Sequence, residues 1–90
     1  MVNDMSVRSS GSIPDEVLFL CLLHNIGATA PEKSLSLEEI SKWILMEREK
    51  VEQNLMKLIE NEYIQSVSVS GSEKYYVTIN GIRKVLSMYS

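Results

Sequence analysis

Ser36-Leu37-Glu38-Glu39 has the form of a capping box, and it constrains the fold more tightly than any other stretch of the chain. A serine at the N-cap bonds the third helical amide, and a glutamate three residues on reaches back to the serine's own N–H. Leu37, Ile40 and Ile44 then recur at helical spacing, with small Ser41 on the same side, so a short amphipathic helix is expected from this start. A second helix should run from about Glu47 to Asn61, with Val51, Leu55, Leu58 and Ile59 as its core positions.

After this pair, YIQSVSV (63–69) and KYYVT (74–78) are rich in β-branched and aromatic residues and read as two strands, joined by the turn Ser70-Gly71-Ser72-Glu73. Thr78 is placed to cap a last helix, whose Ile79, Ile82, Val85, Leu86 and Tyr89 form one apolar stripe. Upstream, a first helix is expected from near Ser12, which can cap it, with Pro14, Asp15 and Glu16 suiting its first turn and Gly27 stopping it. Its run Val17–Leu23 is apolar on every side, so it should be buried on more than one side or shared with a second subunit. Residues 1–12 are polar and serine-rich without sustained periodicity, and are expected to form a mobile tail. The order helix, helix, helix, hairpin, helix over residues 13–90 is mainly α with a small hairpin: a winged helix-turn-helix.

Composition narrows the function. Ninety residues make one core, and an apolar fraction of 44% is ordinary for a globular domain. The seven-residue apolar run follows two acids, so neither a membrane span nor a secretory signal is expected. One cysteine, Cys21, excludes an internal disulfide framework and a cysteine-rich zinc site, and a reducing, cytoplasmic setting fits it. No Ser-His-Asp set, phosphate-cradling glycine loop or metal-ligand spacing is present, so no catalytic residue, metal or cofactor is expected. The net charge of −3, nine basic against twelve acidic residues, runs against the basic footprint of a nucleic-acid binder, although a local basic stripe can sit on an acidic body.

LSLEEISKWILMEREKVEQNLMKLIENEYI (35–64) resembles the helix-turn-helix of winged-helix regulators of the MarR, ArsR and PadR type, with Leu37, Ile40, Ile44, Val51, Leu55, Leu58 and Ile64 where that pattern is apolar. YYVTINGIRKVL (75–86) is similar to the wing strand and following helix of the same proteins, in which a Thr opens the helix and a Gly follows three residues later, as Thr78 and Gly81 do here. Three positions depart from the pattern: Leu45-Met46 replaces a turn glycine, Glu47 a Ser or Thr cap, and Glu62 the glycine before the first wing strand. The resemblance implies a DNA-binding transcriptional regulator, with helix 47–61 in the major groove, wing 69–75 on the backbone or minor groove, and duplex DNA and a second subunit as partners. A winged helix can also serve as a protein-interaction module that reads no DNA, or as a dimerisation scaffold.

If the second helix of the pair enters a groove, Gln53 is placed to pair with adenine, Lys50 to reach guanine and Glu49 to accept from the cytosine amino group. Arg48, Lys57 and, on the wing, Lys74 suit phosphates. The same residues would also make an ordinary solvated face, since residues 47–57 hold three bases and three acids. A homodimer is expected through Leu18, Phe19 and Leu22 of the first helix and Ile82, Val85, Leu86 and Tyr89 of the last, because one small core cannot easily bury both stripes. Trp43 falls off the stripe of its helix and is expected at a subunit contact or against the tail. His24 reads as structural, and Cys21 as a small buried hydrophobe or a bridge near a two-fold axis.

Overall fold

The computed structural model describes residues 13–88. Helix α1 (Asp15–Asn25) leads through a 3₁₀ turn (Pro31–Lys33) into a two-residue strand, β1 (Leu35–Ser36). Helices α2 (Leu37–Ile44) and α3 (Arg48–Glu60) follow, then strands β2 (Ile64–Val69) and β3 (Ser72–Val77), then α4 (Ile79–Ser87). The sheet is antiparallel in the order β1-β3-β2, with Leu35 opposite Tyr75 on one side of β3 and Ile64 opposite Val77 on the other.

The capping box forms as the sequence dictates: Glu39 N–H donates to Ser36 Oγ at 3.2 Å and Ser36 N–H donates to Glu39 Oε1 at 2.9 Å. Thr78 likewise caps α4, accepting from Gly81 N–H at 3.1 Å, while its own hydroxyl donates to Glu62 O at 2.7 Å and ties the helix start to the end of α3. The first helix differs from expectation. It begins at Asp15 with Pro14 at the N-cap and no side-chain cap, and Ser12, with the rest of the 1–12 tail, lies outside the described residues.

The core is built from Phe19, Leu20 and Leu23 of α1, Ile40 of α2, Val51, Leu55 and Leu58 of α3, Ile64, Val77 and Val85. Two residues assigned to a dimer surface belong here. Phe19 (1% exposed) and Val85 (0%) are consumed by the chain's own core and offer nothing to a partner. Ile59 departs the other way: it is exposed, lining an open groove of about 720 Å³ with Pro31, Ile64, Val77 and Ile79. In α4 the buried face is Gly81 and Val85, with Ile82 half-buried, so Ile79 and Leu86, seven residues apart, face outward together.

The hairpin is tighter than the four-residue turn expected from sequence. Val69 pairs directly with Ser72, leaving Ser70 (φ 51°) and Gly71 (φ 81°) as the two central residues. Positive φ at both is what a type I′ turn requires, and its twist matches that of the strands.

Candidate nucleic-acid interface

Helix α3 is fixed from behind. Val51, Leu55 and Leu58 are fully buried, and Asn54, also buried, donates from its amide to Met46 Sδ at 3.7 Å, which ties α3 to the preceding turn. That turn is itself over-determined. Ser41 O accepts from the N–H groups of Leu45 and Met46, and Ser41 Oγ donates to Met46 O. Leu45 closes the turn in the left-handed conformation (φ 58°, ψ 49°), which for a residue with a Cβ costs about 1–2 kcal/mol. The departure from the usual glycine is therefore accommodated by strain, not by another turn. Glu62 does the same at the far end of α3 (φ 64°).

With one face of α3 buried, helical geometry sorts the rest. Glu49, Gln53, Met56 and Glu60 form the outward ridge, all exposed. Lys50 and Lys57, two turns apart, lie on one flank, and Glu52 and Ile59 on the other. The helix spans 48–60, one residue shorter at each end than expected, with Glu47 as an N-cap that makes no side-chain bond.

The other two cations expected at the interface, Arg48 and Lys74, lie near acids of α2's first turn. The Arg48 guanidinium pairs with Glu38 at 3.1 Å on an exposed surface. Lys74 is half-buried on the central strand, opposite Ser36 and Val67, and away from the hairpin tip. Glu39 is held below its ordinary value of 4.5 chiefly by the Ser36 N–H, which outweighs the opposing desolvation, with the charge of Lys74, the Ser36 hydroxyl and the charge of Lys42 assisting. Between wing and α3, burial raises Tyr75, and the carboxylates of Glu73 and Glu52 push it further up. The wing-facing side of α3 therefore carries acidic charge around Tyr75. Neither the Arg48–Glu38 pair nor the Glu52–Tyr75–Glu73 arrangement has a sequence signal, because each joins elements that meet only in the folded chain.

The expected dimer surface divides. Leu18 and Leu22 of α1 and Leu86 of α4 are exposed, on two helices that pack together, while Ile82 of α4 is half-buried against the core. Trp43, 65% exposed, sits on α2, which packs on α3 and the sheet, so it belongs to a different surface. Tyr89 lies outside the described residues. Among the described residues His24 Nδ1 is buried without a hydrogen-bond partner, and Cys21 is a half-buried free thiol. Among the described residues no group of three or more His, Cys, Asp or Glu is arranged to hold a metal, and no helix is long and apolar enough to cross a membrane.

A three-helix head with a strained helix-helix turn, a two-stranded wing and a returning helix is a winged helix-turn-helix, of the kind found in MarR family proteins. Solved structures share this arrangement. The DNA-binding TubR fragment from Clostridium botulinum is 24% identical over 86% of this chain and 98% of that one, with a TM-score of 0.74. TubR from Bacillus megaterium pBM400 is 22% identical over 87% and 88% of the two chains, with a TM-score of 0.72. A MarR family protein from Bacillus stearothermophilus is 14% identical with a TM-score of 0.68, and this chain spans only 52% of it. No protein-family model and no curated protein sequence matches the chain.

Proposed function

We propose that this protein binds duplex DNA as a homodimeric transcriptional regulator of the cytoplasm, with α3 in the major groove and the β2–β3 wing along the backbone. The observation that carries the reading is the exposed ridge of α3, held rigidly by a buried opposite face and a pinned turn beside a type I′ wing. The same arrangement, over 98% of its length, makes up a fragment of TubR described as DNA-binding. Gln53 stands mid-ridge for adenine, Lys50 for guanine, and Glu49 for a cytosine amino group. Lys57 meets phosphate directly. Arg48 must first leave Glu38, but an exposed pair holds it by only about 0–1 kcal/mol, so a phosphate can displace the carboxylate. Lys74 serves the backbone from the sheet face instead of the wing tip. Leu18, Leu22 and Leu86 would meet their two-fold mates, and the two α3 helices would then need to lie about 34 Å apart to enter successive grooves.

Anisotropy titrations on duplexes at several salt concentrations test this. Lys50→Ala and Gln53→Ala should each lose about 1–3 kcal/mol on a cognate site and relax preference at one position. Lys57→Ala should weaken every duplex alike and flatten the salt slope by about one unit. The exposed acids Glu49, Glu52 and Glu60 on α3 favour a second reading, a module that docks on a protein through the same face. Absence of binding to any duplex at low salt, with the dimer intact, would overturn the first reading and favour the second.

A further inference from the structure

The helix-helix turn exposes more apolar surface than the fold requires. Leu45 is 91% exposed and Trp43 65%, and together with Glu39 and Lys42 they line a surface hollow of about 390 Å³. At position 45 a glycine would relieve the left-handed strain and remove an exposed leucine, so both backbone and solvation favour it over the residue present. The turn is also rigid, since Ser41 bonds the N–H of Leu45 and both the N–H and the carbonyl of Met46. Leu45 is thus a pre-organised apolar projection, which gives up little freedom when it becomes covered. Beside it, Trp43 is the residue type most concentrated at the centres of interfaces.

We propose that the Trp43–Leu45 face of α2 docks against the same face of a second copy of this chain. Its charge pattern selects that occupant. Glu39 and Lys42 lie one helical turn apart beside the apolar centre, one charge of each sign, so a two-fold mate running antiparallel sets Lys42 of each copy against Glu39 of the other. A purely acidic or basic partner would gain from only one of the two charges and be repelled by the other. This surface lies apart from the α1–α4 face and from the exposed ridge of α3, so the proposal does not rest on DNA binding.

Trp43 is the only tryptophan, so its emission reports this face alone. The test is emission wavelength and iodide quenching of the full chain without DNA, from about 1 µM to about 1 mM, alongside sedimentation equilibrium; a patch this small saturates high in that range. The expected result is a blue shift and falling quenching with concentration. Leu45→Gly should raise the unfolding midpoint while weakening this association at least about tenfold, which separates the contact from the fold. Lys42→Glu should abolish it by placing like charges opposite each other, and Leu22→Glu on α1 should leave it unchanged. Emission of an exposed indole at every concentration overturns the proposal. So does shielding that is already complete at the lowest concentration and that Lys42→Glu does not relieve, which would mean cover from the same chain, or an association that Leu45→Gly does not alter.

Discussion

Replacing Gly81 with alanine should destabilise the protein, although helix propensity alone predicts the opposite. Gly81 lies inside α4, where alanine is intrinsically better by about 1 kcal/mol. A Cβ at this position would sit 2.3 Å from Tyr63 O and 2.6 Å from Val77 Cγ1. Carbon needs about 3.5 Å or more from another carbon, so α4 would have to retreat by roughly 1 Å. The obstacle cannot yield freely, because Tyr63 O is backbone and accepts from Thr78 N–H at 2.9 Å at the base of the wing. Overpacking of this kind costs about 1–3 kcal/mol, and loosening the Thr78 bond about 1 more. After the propensity gain, a net loss of about 1–3 kcal/mol remains. Urea unfolding followed by circular dichroism reads it directly, and each kcal/mol should lower the thermal midpoint by about 4–8 °C in a domain of this size. A Gly81→Ala variant as stable as the parent would show that α4 does not approach Tyr63 this closely. The glycine three residues after the helix-opening threonine would then have no packing reason.

Two other outcomes follow from the capping box and the α1–α4 surface. Ser36→Ala removes the acceptor for the Glu39 N–H and should cost about 0.5–2 kcal/mol. Because Glu39 is held below 4.5 in the folded state, its stabilising effect is complete above that pH and is lost as pH falls through the lowered value. Glu39→Gln can still accept from Ser36 N–H but does not titrate, so its unfolding free energy should fall less steeply with acid below that point, and parallel acid titrations would show it. Leu22→Glu should leave the monomer folded, since Leu22 is already exposed, yet return a monomer mass by light scattering at micromolar concentration; an unchanged dimer would refute the α1–α4 assignment.

The parts of the fold that local chemistry decides are legible: the Ser36 and Thr78 caps, the α2–α3 pair and the two wing strands, though not the exact turn between them. Where the reading failed, the signal was absent from the sequence. The run Val17–Leu23 is apolar on every side and carries no phase, so nothing distinguished buried Phe19 from exposed Leu18 and Leu22. In α4 the apolar residues suggested one stripe, but the helix turns Gly81 toward the core, and a glycine adds nothing to a hydrophobic pattern. Strand β1 has two residues, too few to show a period, and exists only because Leu35 and Ser36 find Tyr75 and Lys74 across the sheet. At the candidate interface the exposed ridge of α3 was readable from helical spacing. The acids that engage Arg48 and lie beside Lys74 and Tyr75 were not, because they sit on other elements.

Those acids bear on how much the net charge of −3 should weigh against binding DNA. A carboxylate about 9 Å from a phosphate repels it by about 0.5 kcal/mol in water, and by about 0.15 kcal/mol once physiological salt screens the pair. Glu52 and Glu73, on the wing side of α3, therefore oppose a neighbouring strand by only a few tenths of a kcal/mol. A lysine touching a phosphate acts at contact distance and releases a condensed counterion as well. Lys50 and Lys57 share the opposite flank of α3, so the helix should lean that flank toward the backbone and keep Glu52 farther from it. Glu52→Gln is then expected to tighten binding to all duplexes by less than about twofold at physiological salt and by more at low salt, with no change in sequence preference. A tenfold gain at physiological salt would place Glu52 against a phosphate and require α3 to dock on its wing side. A loss confined to one sequence would make Glu52, rather than Glu49, the acid that reads a base.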